Sequence, residues 1–270
     1  MENYLKEYHN FRKSIVYDFK LGYGGIGDCI KFFLCAISLS MERGFKIKYK
    51  INDVPIEKFL KLRHDFMYIK EEELNSGRCL TVQSEKFKNA RQFNIVAPFL
   101  FYKNFSDEKI SHFNANDIFY FSDEIINNVT NIIDINDKNY VSFHIRLGDK
   151  FLETDKSFVN PNNLEDIRIF SEEKLFDLLE KNKNNKVLLF CDNKKYKVSL
   201  CSRFDFITMT NADVAHTDFK NTTEKQFIDT VTEFYILCNS SLIYAASHSG
   251  FSSVASLFNG GCIVKLYQEN

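Results

Sequence analysis

Tyr140-Val141-Ser142-Phe143-His144-Ile145-Arg146-Leu147-Gly148-Asp149 is the stretch from which the rest of the chain can be read. Tyr140 and Val141 lead into Phe143 and Ile145 on alternate positions, the period of a β-strand. Where the strand ends, the chain places His144, Arg146 and Asp149. Open α/β sheets bind their ligands at that carboxyl end. An Arg beside a Gly that lets backbone approach closely suits an anionic group such as a diphosphate. A surface turn closed by an Arg146–Asp149 ion pair fits the same spacing equally well.

Downstream of this strand the pattern is regular. Strands are expected at 187–190, 204–207, 241–245 and 262–266, with helices near 171–181, 194–201, 223–238 and 251–258. Ser171, followed by Glu173 and Lys174, reads as an N-cap with an acidic first turn. Alternating strands and helices imply a parallel, doubly wound sheet. The insertion at 154–166, which is polar and carries Pro161, reads as a loop. Upstream, a strand at 14–19 runs into Gly22-Tyr23-Gly24-Gly25-Ile26-Gly27-Asp28. A helix from 29 to 42 follows, stopped by Gly44, and then a strand at 45–51. Short strands are expected at 67–69 and 94–97, and a helix at 123–133 leads into the second half. The fold class is therefore α/β, with two Rossmann-like domains facing a cleft, residues 1–135 and 136–270.

Composition narrows the function. The 35 Lys and Arg balance 36 Asp and Glu, which argues against a dedicated nucleic-acid binder and makes any anion site local. The 28 Phe supply an aromatic core. Seven single cysteines with no C-x-x-C pair read as reduced core residues, and so as a cytosol-like compartment. No His or Cys spacing suits a metal, no apolar run reaches the ~18 residues of a membrane span, and the amino terminus has no apolar signal core.

A second strand-to-helix junction, Ala245-Ala246-Ser247-His248-Ser249-Gly250-Phe251-Ser252, offers hydroxyls and backbone N–H groups at a helix start, a cradle for phosphate. The alternative is a plain Ser-rich N-cap. Asp192, after the strand at 187–190, reads as a ribose or base contact or as a turn residue. Glu233 sits inside an apolar helix and needs a partner there, either a base edge or a Lys or Arg. The first Gly-rich loop matches the dinucleotide fingerprint, with Asn52-Asp53 near the acidic position; the same loop also serves as a floor under a sugar, with Asp28 at the helix start or simply capping it.

Three pieces in order resemble the inverting fucosyltransferase superfamily, the α-1,2, α-1,6 and protein O-fucosyltransferases. Gly24-Gly25-Ile26-Gly27-Asp28 is similar to that group's G-G-x-G-N/D loop. His144 to Asp149 is similar to its H-x-R-R-G-D motif, with Leu147 in place of the second Arg. Glu233 to Ser252 is similar to its acidic helix, strand and S-x-F-S motif. The resemblance implies a GT-B-like fold, a GDP-fucose or related GDP-sugar donor, a glycan acceptor and no required metal. It implies that residues 136–270 bind the nucleotide sugar and 1–135 form the acceptor side.

By the same resemblance, Arg146 holds the β-phosphate and His144 lines its pocket. Ser249, Gly250, Phe251 and Ser252 bind the phosphates and pack near the base, with Ser247, His248, Gly25 and Gly27 beside the donor, and Glu233 recognises guanine. Lys150 is a substitute charge for the missing Arg. Asp28 is the candidate base and Asp149 the alternative. The expected setting is a bacterial or viral-host cytosol, without the membrane anchor of Golgi members. Two other readings stay open: a GT-B transferase with another donor, similar to heptosyltransferases, and an NAD(P)-dependent oxidoreductase.

Overall fold

The computed structural model describes residues 1–75, 79–81, 92–95, 107–133, 139–153, 165–218 and 220–268. The chain divides into two compact units, Met1–Tyr120 and Phe121–Asn270.

In the first unit, α1 (Glu2–Glu7) precedes β1 (Ser14–Tyr17), α2 (Ile26–Arg43) and β2 (Lys46–Tyr49). Short elements follow: α3 (Ile56–Phe59), β3 (Leu60–Leu62), α4 (Glu71–Asn75), β4 (Cys79–Thr81), β5 (Gln92–Ile95) and α5 (Asp107–Ile110). Four strands form a parallel sheet in the order β2-β1-β5-β4. The helix expected from the apolar spacing at Ile30, Phe33, Leu34 and Ile37 is α2, and those four side chains are fully buried. Gly44 stops it in the left-handed conformation, φ 64°, and the next N–H, that of Phe45, returns to the Ser40 carbonyl at 2.9 Å. Behind β1 the rings of Tyr17, Phe33 and Tyr49 pack within 5.3–5.6 Å of one another. The aromatic-rich composition is spent here, on a core of edge and tilted ring contacts.

The sequence pattern predicts a strand at 67–69; the chain instead makes a 3-10 turn at Asp65–Met67 and a single parallel bridge from Tyr68 to Tyr49. β2 ends at Tyr49, which leaves Tyr68 no strand to continue along. The strand expected at 94–97 is found as β5, and residues 96–98 with Pro98 lie outside the described residues.

The second unit follows β6 (Phe119–Phe121), which pairs with β3. Its elements are α6 (Asp123–Ile132), β7 (Val141–Ile145), α7 (Glu172–Lys181), β8 (Val187–Cys191), α8 (Lys194–Arg203), β9 (Ile207–Met209), α9 (Glu224–Cys238), β10 (Leu242–Ala245), α10 (Gly250–Ala255) and β11 (Ile263–Lys265). The sheet is parallel throughout, ordered β11-β10-β7-β8-β9. β7, the first strand in sequence, lies at the centre, and the connections wind away from it in both directions. All five of its residues are buried, as befits a strand covered on both faces. α6 packs on α9, with Asn128 Nδ2 donating to Thr232 Oγ1 at 3.0 Å. The division at Tyr120 therefore falls ahead of the residue 135 expected from sequence.

The strand expected at 204–207 begins later, at Ile207, paired with Val187. α8 runs on to Arg203, and the N–H of Phe204 still bonds back to the Leu200 carbonyl. Most of the polar insertion, 154–164, lies outside the described residues. No described helix is long and apolar enough to cross a membrane. Cys29, Cys35, Cys191, Cys201, Cys238 and Cys262 are free thiols, four of these six buried.

Candidate functional site

In the second sheet β7 and β10 are neighbours, and the winding reverses between them. That is the topological switch point, and the crevice outside the strands' carboxyl ends there is where doubly wound sheets take ligands. The two motifs singled out in the sequence, about a hundred residues apart, end at this crevice. Ser247 joins them: its hydroxyl accepts the Arg146 N–H at 2.9 Å and donates to the Arg146 carbonyl at 2.7 Å. A backbone N–H from Ala246 to the His144 carbonyl, 3.0 Å, adds to the seam.

Arg146 projects into a frame of carboxylates. One end of its guanidinium pairs with Asp149, and Nη1 lies 3.0 Å from Asp192 Oδ2. Asp192 also accepts the N–H of Leu147 at 2.8 Å and of Gly148 at 3.2 Å. One side chain from the end of β8 thus clamps both the loop after β7 and the Arg that the loop carries. Gly148 has φ 107°, and a Cβ there would collide with the Asp166 carbonyl, so only Gly lets this loop run so close. Burial pushes the Asp149 carboxyl above its usual range, against the opposing pull of Arg146. Lys150, the expected substitute charge, pairs with Glu165 at 2.8 Å on the exposed side of the loop.

His144 is buried, its ring stacked on Phe251 with centroids 5.3 Å apart, and Nδ1 has no hydrogen-bond partner among the described residues. Desolvation, then the nearby Arg146 charge, lowers its pKa from the usual 6.5 to about 3. His216 is lowered to about 3 by the same two causes. The folded protein keeps both rings neutral, while the unfolded chain protonates them near 6.5. Stability from this source is complete above pH 6.5 and is lost as pH falls from 6.5 toward 3. Urea unfolding between about pH 7.5 and 4.5 is expected to show a shallower pH slope for His144→Phe than for the native chain. Equal slopes would show that His144 protonates alike in both states.

The junction after β10 is well built locally. Ser249 Oγ accepts the Phe251 N–H at 3.2 Å, and Ser252 Oγ donates to the Ser249 carbonyl at 3.4 Å. The N-cap reading of this Ser-rich turn is therefore realised. Gly250 opens α10, and Phe251 packs between His144 and Phe234 rather than standing free. His248 is exposed, with its ring edge against Tyr267.

Glu233 has found a side-chain partner. Lys197 Nζ donates to Glu233 Oε1 at 2.8 Å and to Thr210 Oγ1 at 2.9 Å, Thr210 donates to the same Glu233 oxygen, and all three residues are buried. Of the two partners open to this acid, a base edge or a cation, the structure supplies the cation. Beside it a pocket of about 390 Å³ opens at the carboxyl ends of β8 and β9, lined among others by Asp192, Lys197, Thr210, Asp213, Ala215 and Thr222. α9 pins its far wall: the N–H of Asp213 reaches Asp229 Oδ2 and that of Ala215 reaches Thr230 Oγ1, both 3.0 Å. Motif reasoning misses Lys197 and residues 210–215. The strand-end rule, applied to β9 as well as to β7 and β10, is the signal that flags them.

In the first unit, Asp28 turns back to accept the Gly25 N–H at 3.2 Å, so the capping role open to it in the sequence is observed. Gly24 has φ 128°, and a Cβ there would strike the Asp28 side chain. Gly27 lies in the first turn of α2 and is buried. Asn52 is tied to Asp18 Oδ1 at 2.6 Å. Among the described residues no group of three or more His, Cys, Asp or Glu could hold a metal ion.

No family model matches the sequence, and no curated protein matches it. Solved structures do match in fold. The chain is similar to NodZ α-1,6-fucosyltransferase co-crystallised with GDP, at TM-score 0.57 and 12% identity, covering 92% of each chain. It is similar to fucosyltransferase NodZ from Bradyrhizobium, at 0.59 and 11%, covering 92% of this chain and 93% of that one. It is also similar to a variant of Arabidopsis thaliana FUT1 in complex with GDP, at 0.54 and 11%, covering 100% and 75%. The α/β fold expected from the sequence is thus the fold of GT-B fucosyltransferases.

Proposed function

We propose that the chain is a glycosyltransferase that moves a sugar, most simply L-fucose, from a GDP-sugar to a hydroxyl of a glycan acceptor with inversion. The observation that carries this reading is the convergence of Arg146, Ser247 and Asp192 on the switch point of the second sheet, beside a pocket of nucleoside size. Structures of the same fold were determined with GDP and with GDP-fucose, which supports the same donor here.

Breaking the sugar–phosphate bond develops positive charge at the anomeric carbon and negative charge on the departing diphosphate. Arg146 stabilises the latter. Its guanidinium carries more N–H donors than two carboxylates use, and Asp149, whose carboxyl burial already disfavours as an anion, yields its place to a phosphate oxygen. Asp149 therefore serves Arg146, and Asp28 is assigned as the base that takes the acceptor's proton, on its place in the Gly-rich loop. The free, mostly buried thiols suit a reducing, cytosolic setting.

A thermal-shift panel of GDP, UDP, ADP and NAD tests the donor assignment. GDP at a hundred times its Kd is expected to stabilise the protein by ~2.7 kcal/mol, with NAD silent. Stabilisation by NAD and not by GDP would remove the transferase reading in favour of a dinucleotide enzyme. Stabilisation by UDP or ADP alone would keep a transferase with another donor.

A further inference from the structure

We infer that Lys197, braced by Glu233 and Thr210, selects the base of the bound nucleotide by donating a hydrogen bond to a ring carbonyl in the pocket at the carboxyl ends of β8 and β9. The inference rests on the proposal that this unit binds a nucleoside diphosphate.

An ammonium has three N–H donors. Among the described residues Lys197 Nζ uses one on Glu233 Oε1 at 2.8 Å and one on Thr210 Oγ1 at 2.9 Å. Lys197 and Thr210 line the pocket, whereas Glu233 stands behind them. The carboxylate therefore meets the ligand only through the Lys it fixes. A buried cation held this rigidly on a pocket wall is a donor with a set direction, and it cannot turn itself into an acceptor. Two other donors of that wall, the N–H groups of Asp213 and Ala215, are already bonded to α9. The exposed Asp213 carboxylate offers an acceptor on the rim.

A base that carries a carbonyl next to a ring N–H, as guanine and hypoxanthine do, matches this donor and acceptor pair. Adenine presents an amino group where the carbonyl would be, which sets donor against donor. Such a mismatch leaves the buried ammonium desolvated and unpaired toward the ligand, a strong basis for rejection. A purely structural ion pair joining α8 to α9 would show no such preference.

The test titrates the full chain with GDP, IDP and ADP by calorimetry. GDP and IDP, which share the carbonyl and the ring N–H, are expected to bind within several-fold of each other and ~10- to 100-fold more tightly than ADP. In the double variant Lys197→Met/Glu233→Leu, which removes both charges together and leaves no buried ion unpaired, GDP affinity is expected to fall until the GDP-to-ADP ratio is about 3 or less. ADP binding the native chain as tightly as GDP overturns the role of Lys197 and leaves diphosphate binding standing. So does a folded double variant that keeps the native ratio. Failure of all three nucleotides to bind removes the donor reading itself, and this inference with it.

Discussion

Arg146→Lys is expected to lower the rate of GDP release from GDP-fucose by at least about a hundredfold while shifting the melting temperature little. The change keeps one positive charge and removes the planar fork. In the structure that fork spans two carboxylates, Asp149 on one end and Asp192 on the other, so it is held in one orientation. An ammonium is a point charge on a flexible stem and can satisfy one of these partners at a time. Charge developing on the departing diphosphate then meets a donor that is mobile and misplaced. Loss of one such preorganised donor costs roughly 3 kcal/mol of transition-state stabilisation, and the hundredfold figure follows from it.

The structural alternative makes a different prediction. If Arg146 serves only to pair Asp149 and Asp192, the Lys still places a positive charge between them, and turnover survives whatever stability is lost. GDP release, with water or a glycan as acceptor, and melting are therefore measured on the same preparation. Near-normal turnover in a folded Arg146→Lys protein would exclude the leaving-group role. A large fall in melting temperature together with turnover would make the residue a structural one.

Asp192→Ala is expected to be the most damaging single change at the site in stability, by about 3–4 kcal/mol in urea unfolding. Three N–H donors share this carboxylate, those of Leu147, Gly148 and Nη1 of Arg146, with the Cys191 thiol a weaker fourth at 3.7 Å. The side chain is 9% exposed, so water does not easily replace it. Truncation leaves two backbone donors and one side of a cation without their acceptor, and unsatisfied groups of that kind cost about 1–3 kcal/mol each before relaxation. Asp192→Asn keeps one acceptor oxygen and should lose roughly half as much. A value for Asp192→Ala within ~1 kcal/mol of the native chain would mean that the Arg146 loop is held by something other than Asp192. If the loop is the diphosphate site, GDP affinity falls in both variants in the same order.

The local parts of this molecule are legible in the amino-acid sequence alone. Val141 to Ile145 as a strand follows from alternation; α2 follows from the spacing of Ile30, Phe33, Leu34 and Ile37; its end follows from Gly44, which alone adopts the left-handed turn at no steric cost. Ser171 and Thr223 sit at the N-caps of α7 and α9 with their hydroxyls on backbone N–H groups, as the sequence indicates for Ser171. These features depend on residues within a few positions of one another. That range is what a sequence pattern encodes directly. The parallel, doubly wound character of the second half follows from the same patterns taken in order, because parallel strands require crossover helices.

Partners across elements are decided only by packing. Asp192 reads in the sequence as a ribose or base contact or a turn residue, yet its nearest donors lie on the loop 44–45 residues earlier. Glu233 needs a partner on sequence grounds, but the choice falls to Lys197, 36 residues away, once the fold brings α8 and α9 together beyond the end of β9. Lys197 itself carries no signal as a single charge among others in Lys194-Lys195-Tyr196-Lys197. The division at Tyr120 likewise depends on the packing of α6 against α9. A buried charge states in the sequence that it must be neutralised, because desolvation is costly whatever the fold. Which group neutralises it, and whether the pair then faces a ligand, depends on helix position and strand order, and those are properties of the folded chain.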